Sequence, residues 1–300
     1  MTAPGQQVLV IGEALTDIIQ TAGASKEHPG GSPANVALGL ARLGVPTAFL
    51  TAIGRDERGA AIAGRLAQSG VAVLPESWSL EATSTAAAAI QDDGAAHYTF
   101  DIAWALPADV GLPAAGHVHV GSIAAFLTPG AERVEEIVAG LAPSATVSFD
   151  PNIRPALVGD PDDARTRFER LAARADVVKL SDEDAAYLYP ALSVREAALA
   201  ISALGARVVA VTAGAQGSLL VAGQELVEIS PVVTSVADTV GAGDSYMSAL
   251  LWALLAAGHP RLVPGTRDDL ASAGSFAARA AAVTVSRAGA EPPTLEEVPG

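Results

Sequence analysis

Cysteine is absent from the 300-residue chain, and lysine occurs only at Lys26 and Lys179. The lack of thiols excludes disulfide frameworks, zinc–thiolate sites and thiol nucleophiles. The formal net charge is −15 and no basic cluster occurs, which argues against nucleic acid or an anionic membrane as a partner. The longest apolar run, residues 249–257, is too short to cross a bilayer, and the first residues lack the basic-then-apolar pattern of a secretion signal. We therefore expect a soluble, cytoplasmic protein with small-molecule ligands.

Aromatic residues make up only 4% of the chain, whereas 50% of its residues are hydrophobic. This composition favours one large domain in which small side chains pack helices tightly on a sheet. Strand-like runs alternate with helical patterns, such as the helix predicted to begin at Pro33 with Ser32 as its cap. The alternation predicts an α/β fold with a doubly wound, mostly parallel sheet and helices on both faces. A predicted hairpin turn at 92–94 interrupts it, and we expect about 13–29 and 71–106 to form a small additional β-sheet.

Residues 238–244 combine a tight turn, a helix start and a carboxylate, followed by a long apolar helical pattern. Gly241, Ala242 and Gly243 leave room for a ligand close to the backbone, and the first N–H groups of a helix favour bound anions. Asp244 would stand beside this anion site and could take a proton from a hydroxyl group. The alternative is that Asp244 only caps the helix. An anion site next to a base predicts phosphoryl transfer to an alcohol.

The same segment resembles the C-terminal signature of the ribokinase-like (PfkB) family of ATP-dependent carbohydrate kinases, and residues 30–44 resemble the N-terminal signature of that family. Further similar segments occur in the order found in the family, so that the resemblance covers nearly the whole chain; they are 8–17, 150–157, 178–184, 211–218 and 287–290. The resemblance implies a ribokinase-like fold in which the small β-sheet is a lid over the sugar. It also implies ATP as the phosphoryl donor and Mg²⁺ as a cofactor.

On the sugar side, the resemblance assigns binding residues near the end of the first predicted strand and at the start of the first helix. It implies that Asp17 and Asn35 bind sugar hydroxyls, and that Gly30 and Gly31 bring the backbone close to the sugar. Glu13 lies in the same region, where it could reach the sugar or face solvent.

Arg154 follows a predicted buried strand and stands next to prolines that fix its direction. The resemblance implies that it faces the substrate and the transferred phosphate, which suits the hydrogen-bonding geometry of a guanidinium group. A surface salt bridge is the alternative.

On the nucleotide side, the resemblance implies a set of contacts to ATP, namely Lys179, Ser181, Thr212, Gly214, Gly217 and Ala278. The family's usual Asn-x-x-Glu pair is replaced here by Ser181 and Asp184. Asp184 keeps a carboxylate that would hold Mg²⁺ through water, whereas Ser181 lacks the amide. Asp238 corresponds to a monovalent-cation site in the family, and the sequence leaves open whether K⁺ binds.

The strings at 150–155 and 121–124 are most similar to those of bacterial fructokinases, which favours fructose as the acceptor. A 2-keto-3-deoxygluconate kinase and a ribokinase remain as alternatives. A non-catalytic sensor of sugar or nucleotide on the same fold is a further one. The chain lacks a P-loop motif, and only Gly12 follows the first strand where a dinucleotide-binding enzyme needs three glycines. An exposed face of the lid would allow a homodimer.

Overall fold

A computed structural model describes residues 7–21, 24–90 and 96–299, so that the hairpin turn predicted at 92–94 lies outside the described residues. The strands are β1 (Val8–Ile11), β2 (Leu15–Thr21), β3 (Ala24–Gly30), β4 (Thr47–Leu50), β5 (Ala72–Val73), β6 (Thr85–Ile90), β7 (Ala96–Asp101), β8 (His117–Gly121), β9 (Thr146–Asp150), β10 (Val177–Ser181), β11 (Val208–Thr212), β12 (Ser218–Ala222) and β13 (Glu225–Ile229). The helices are α1 (Ser32–Arg42), α2 (Glu57–Gln68), α3 (Gly130–Leu141), α4 (Pro155–Val158), α5 (Pro161–Ala172), α6 (Asp182–Leu188), α7 (Val194–Ala203), α8 (Ala242–Ala257) and α9 (Arg267–Val285).

The large sheet has the strand order β13-β12-β11-β10-β9-β8-β1-β4-β5. Reading along this order, the strands from β11 to β5 run parallel to one another, whereas β12 and β13 form an antiparallel edge. From β1 the chain first builds the sheet in one direction through β4 and β5, and then in the other direction from β8. Ligands of such doubly wound sheets bind where the winding direction changes, at the carboxyl ends of the strands. The predicted fold is confirmed, and its ligand crevice is expected beside β1 and β8.

Both faces of the large sheet are covered by helices, because its central strands are apolar on both sides. Val8 and Val10 point into a core with α1, α2, α8 and α9, whereas Leu9 and Ile11 point into a core with α3, α5, α6 and α7. Burying each of these four side chains contributes roughly 1.5–3 kcal/mol. Glycine allows the closest contact between helices, since a Cβ atom at Gly39 of α1 would overlap the hydroxyl of a serine in α8. The composition had predicted this tight packing.

A smaller sheet has the order β3-β2-β6-β7, in which β2 and β6 are parallel and the other two pairs antiparallel. Except for Gly30, its strands fall within the ranges 13–29 and 71–106 that were expected to form a lid, but the boundaries differ. Ala72–Val73 pairs in parallel with β4 and forms the edge of the large sheet. Within the range 71–106, the small sheet therefore begins only at Thr85, the first residue of β6. Strand β2, which follows β1 in the chain, also belongs to the small sheet.

Local hydrogen bonds fix where several helices begin. Capping boxes open α6, α7 and α9, in which a serine or threonine and an acidic residue three positions later bond to each other's backbone. Helix α8 begins after Gly241 and ends at Gly258, both in the left-handed conformation that glycine adopts without strain. Among the described residues, no helix has the length and apolar character needed to cross a membrane.

Candidate active site

Asp244 lies in the first turn of α8 and is 8% exposed. The Ser32 hydroxyl donates a hydrogen bond of 2.6 Å to its Oδ1 atom, and the Asn35 amide donates one of 2.9 Å to its Oδ2 atom. Both donors belong to the first turn of α1. The starts of α1 and α8 therefore meet at this carboxylate, whose orientation is fixed through both oxygens.

The electrostatic surroundings make Asp244 a stronger base than an exposed aspartate. Burial raises its pKa, whereas the hydrogen bonds from Ser32 and Asn35 and the charges of Lys179 and Arg154 act in the opposite direction. A carboxylate whose pKa is raised accepts a proton more readily at neutral pH. The geometry and the pKa direction both suit a general base.

The turn before Asp244 leaves backbone N–H groups available for an anion. Gly241 has φ 76°, and the first hydrogen bond of α8 runs from the Ser245 N–H group to Gly241 O at 2.8 Å. Between them, the Ala242 N–H group donates a long hydrogen bond of 3.3 Å to Thr239 O, and the N–H groups of Gly243 and Asp244 have no acceptor within the helix. A Cβ atom at Gly241 would lie 2.6 Å from Cβ of Ala290, and one at Gly243 would lie 2.8 Å from Nζ of Lys179. Glycine at 241 is thus required by its positive φ angle and by Ala290, whereas a side chain at 243 would displace the end of the Lys179 side chain.

Lys179 brings a positive charge beneath this turn. Its Nζ atom lies 2.9 Å from Oδ2 of Asp150, and the two side chains are 5% and 1% exposed. Burial acts to lower the pKa of Lys179, but the carboxylates of Asp150, Asp184 and Asp244 outweigh it and raise that pKa. Burial raises the pKa of Asp150 to about 6 despite the lysine, so that both groups are charged at neutral pH. Lys179 is therefore a fixed ammonium group next to the Gly241–Gly243 turn, which we call the anion turn.

The sugar-side residues are packed against one another at the entrance to the small sheet. Asp17 on β2 contacts Gly30, and a Cβ atom at Gly30 would overlap the Asp17 carboxylate. Gly31 has φ 104°, and a Cβ atom there would overlap the carbonyl oxygen of Glu13. Burial raises the pKa of Asp17; the charges of Arg154 and His28 oppose this rise, and the charge of Asp244 adds to it. The role of Asp17 toward a sugar stays a prediction.

Glu13 lies in the loop between β1 and β2 and is 4% exposed, which excludes the solvent-facing alternative. Its Oε2 atom accepts a hydrogen bond of 3.1 Å from the N–H group of Ala124, and its carboxylate also bonds to Ser122. Burial raises its pKa to about 7, against these hydrogen bonds and the charge of Arg154. Glu13 thereby joins the loops that follow β1 and β8, at the position where the sheet reverses its winding.

Arg154 is exposed, and its guanidinium group bonds to its own loop at Asn152 Oδ1 (2.9 Å) and Ile153 O (3.1 Å). Its charge acts on Glu13, Asp17 and Asp244. Its role toward the substrate and the transferred phosphate stays a prediction.

Asp184 connects two loops at the carboxyl ends of β9 and β10. It accepts a hydrogen bond of 2.8 Å from the Ile153 N–H group and one of 2.9 Å from the Ser181 N–H group, on different oxygens. Ser181 caps α6 in return. These bonds hold the Arg154 loop in place, and the role of Asp184 toward Mg²⁺ stays a prediction.

The other residues predicted for ATP lie around β11 and α9. Thr212 ends β11, and its hydroxyl donates a long hydrogen bond of 3.4 Å to Leu180 O. Gly214 and Gly217 have positive φ angles of 49° and 93°, which allow the sharp turn into β12. Ala278 packs partly against the core between α9 and the sheet. Their contacts with a nucleotide remain predictions.

Asp238 is fixed by backbone donors in front of the anion turn. The N–H groups of Val240 and Gly289 donate to its two oxygens at 3.0 and 2.9 Å, and these bonds lower its pKa. Among the described residues, no group of three or more His, Cys, Asp or Glu side chains is arranged to hold a metal ion. The predicted monovalent-cation site at Asp238 would therefore need backbone oxygens.

Two residues of this site were missed or misassigned from the sequence. Ser32 was predicted as the cap of α1, but Gly31 occupies that position and Ser32 donates to Asp244, a buried and stronger acceptor. Ser122, which contacts Glu13, lies in the segment 121–124 that resembles fructokinases, but no role was predicted for it. Its φ of 57°, unusual for a residue other than glycine, belongs to a backbone shaped around Glu13.

Comparison with known proteins agrees with this geometry. Residues 6–297 match the model of the pfkB family carbohydrate kinases. The chain is 32% identical to a fructokinase of Klebsiella pneumoniae over 277 residues, which are 89% of this chain and 90% of that protein. It is also similar to the structure of a Xylella fastidiosa fructokinase with bound ATP (TM-score 0.82, 27% identity, 97% and 96% of the two chains covered). A fructokinase double mutant of Vibrio cholerae O395, bound to fructose, ADP and a potassium ion, has a TM-score of 0.80 at 26% identity, with 95% and 94% covered. The chain belongs to the pfkB family of carbohydrate kinases.

Proposed function

We propose that the protein is an ATP-dependent fructokinase, which transfers the γ-phosphoryl group of ATP to a hydroxyl group of fructose. The observation that carries this proposal is the buried carboxylate of Asp244, which Ser32 and Asn35 orient next to the N–H groups of the Gly241–Gly243 turn. Fructose is favoured as the acceptor because proteins named fructokinase match most of the chain. The alternatives, a 2-keto-3-deoxygluconate kinase and a ribokinase, share the same mechanism.

In this mechanism Asp244 takes the proton from the acceptor hydroxyl as its oxygen attacks the γ-phosphorus atom. The bond from that phosphorus to the oxygen of ADP breaks, and the electron pair leaves with ADP. The N–H groups of Gly241, Ala242 and Gly243 stabilise the charge on the transferring group, and Arg154 assists. The sugar is held by Asp17, Asn35, Glu13 and the backbone at Gly30 and Gly31. Burial raises the pKa values of the carboxyl groups of Glu13 and Asp17.

The nucleotide and its ions complete the proposal. ATP would contact a set of residues at the ends of β10, β11 and α9, namely Lys179, Ser181, Thr212, Gly214, Gly217 and Ala278. The buried Oδ1 atom of Asp150 has no hydrogen-bond partner among the described residues, which fits a hydrated Mg²⁺ ion held by Asp150 and Asp184. When bound with ATP, this ion supplies charge neutralisation on the β- and γ-phosphates. Asp238 would help to hold K⁺, the ion present in the Vibrio cholerae enzyme.

We further propose that the protein is a cytoplasmic homodimer that associates through the small sheet. Ile19 on the small sheet is 41% exposed, and two copies of that sheet could pair face to face. A homodimer would then bring the sugar entrances of two chains together, which light scattering of the purified protein would test. A cytoplasmic location follows from the need for ATP.

The test is an ADP-release assay with Mg-ATP and a panel of fructose, 2-keto-3-deoxygluconate, ribose, tagatose and adenosine, with and without K⁺. Asp244→Asn should lower kcat about a thousandfold, because a general base contributes roughly 10²–10⁴-fold, and should still bind ATP. Asp268→Asn, at an exposed site in the first turn of α9, is the matched control and should retain full activity. Full activity of Asp244→Asn would refute the assigned base. ATP binding by the wild type without turnover of any sugar would favour the non-catalytic sensor.

A further inference from the structure

Arg65 on α2 joins two segments of the chain that border the site from different sides. Its Nη1 atom donates a hydrogen bond of 3.0 Å to the carbonyl of Pro29 at the end of β3. Its Nη2 atom donates to the carbonyl of Ala290 and lies 2.9 Å from Oε1 of Glu291 in the C-terminal segment. The arginine side chain is only 22% exposed. One guanidinium group thus bridges the small sheet and the C-terminal segment.

The Pro29 end of this bridge leads directly to the sugar-side loop. Pro29 precedes Gly30 and Gly31, whose missing side chains leave room for the carboxylate of Asp17 and the carbonyl of Glu13. A displacement of Pro29 would therefore move the backbone that packs against these acidic residues.

The Ala290 end leads to the phosphate-side turn. Its side chain lies against Gly241, where a Cβ atom would come within 2.6 Å of Cβ of Ala290. The neighbouring Gly289 N–H group donates to Asp238, the residue in front of the anion turn. A displacement of Ala290 would therefore change the position of the N–H groups beside Asp244.

We propose that Arg65 is a positioning residue that couples sugar binding to ATP binding by linking these two segments. This inference rests on the proposed kinase function and adds a residue that touches neither substrate. The planar guanidinium group holds its two donor nitrogens at a fixed separation, so that a movement of one carbonyl changes the geometry of the hydrogen bond to the other. A sugar that fixes the position of the Pro29 loop thereby also restricts the positions of Ala290 and Gly241. Coupling between two binding sites is reciprocal, so ATP must favour sugar binding by the same factor.

Arg42 on α1 provides a matched comparison within the same chain. It donates a hydrogen bond of 2.7 Å to Pro292 O and lies 2.7 Å from Oε2 of Glu291, and its side chain is 23% exposed. It anchors the same C-terminal segment with a similar burial. Of the two arginines, Arg65 is the one whose hydrogen bonds also reach β3. A role limited to anchoring the C-terminal segment would make the two arginines equivalent.

The experiment measures the dissociation constant of a non-hydrolysable ATP analogue by calorimetry, with and without saturating fructose. We expect fructose to tighten analogue binding to the wild type roughly 5- to 20-fold, a factor typical of coupled sites. Arg65→Gln should bring this factor to about 1–2 and raise the KM for fructose more than it lowers kcat. Arg65→Lys, which keeps the charge but has a single donor nitrogen, should give an intermediate factor. Arg42→Gln should keep the factor of the wild type.

The outcomes separate this proposal from the proposed function. An unchanged factor in Arg65→Gln, or an equal loss in Arg42→Gln, would overturn the coupling role while leaving the kinase assignment intact. A wild type that turns over fructose but shows no coupling would overturn it as well. A wild type that turns over no sugar would contradict the proposed kinase function, on which this inference rests. Because Arg65→Lys retains the positive charge near Glu291, it keeps the test available if Arg65→Gln folds poorly.

Discussion

Replacing Glu13 by glutamine should remove a pH-dependent loss of stability. The buried carboxyl group has its pKa raised from 4.5 to about 7, with burial as the main cause. Below pH 4.5 the group is protonated in both the folded and unfolded states, and it has no effect. As the pH rises toward 7, the unfolded chain releases the proton and the folded protein retains it, so the free energy of unfolding falls. Since one pKa unit corresponds to about 1.4 kcal/mol, the full loss is about 3 kcal/mol.

Urea unfolding of the wild type and of Glu13→Gln at a series of pH values measures this effect. The stability of Glu13→Gln relative to the wild type should increase by about 2.5 kcal/mol between about pH 5 and about pH 8. Contributions of other groups, including Asp150, are present in both proteins and cancel in the difference. Glu228→Gln on β13, at an exposed position, is the control and should follow the wild type. Parallel curves for the wild type and Glu13→Gln would show that ionising this carboxyl in the folded protein carries no penalty.

Three further predictions concern the charges around the anion turn. Ser32→Ala should move the acidic limb of the kcat/KM–pH profile to higher pH, because the lost hydrogen bond had lowered the pKa of Asp244; an unmoved limb would contradict that assignment. Asp150→Asn should lower the free energy of unfolding by about 3 kcal/mol in urea, since it leaves Lys179 buried without its partner, and adding Lys179→Met should recover part of this loss. Removal of divalent cations by EDTA should weaken ATP binding in calorimetry at least tenfold, and equal affinity with and without Mg²⁺ would argue against a metal between the acidic residues and the phosphates.

The order of strands and helices could be predicted because it depends on short-range patterns. The helix predicted to begin at Pro33 is α1, which begins one residue earlier at Ser32. The short strand β5 could not be recognised, since its two residues are defined only by their pairing with β4. The small sheet was anticipated from a predicted hairpin turn, but its limits depend on which strands pair in which sheet.

The site was predictable to the extent that its residues lie in recognisable local segments. Asp244 and the turn before it form one segment, whereas the partner of Ser32 lies 212 positions away and that of Arg65 lies 225 positions away at Ala290. A serine at a helix start predicts a cap, and nothing local indicates that it donates to a distant aspartate instead. Burial has the same limitation, because Glu13 could be judged solvent-facing until the loop after β8 was placed over it.

Burial explains why four carboxyl groups of this site have raised pKa values. Five carboxyl groups, Glu13, Asp17, Asp150, Asp184 and Asp244, share the crevice with the cations Lys179 and Arg154. The loops that carry them must therefore hold several acidic groups close together in surroundings largely removed from water. Backbone N–H groups reduce the cost, as at Asp184, and partial protonation does so at Glu13, whose pKa is about 7. A polyphosphate entering such a crevice needs positive charge to accompany it, so the acidic residues around Asp244 make ATP binding depend on cations.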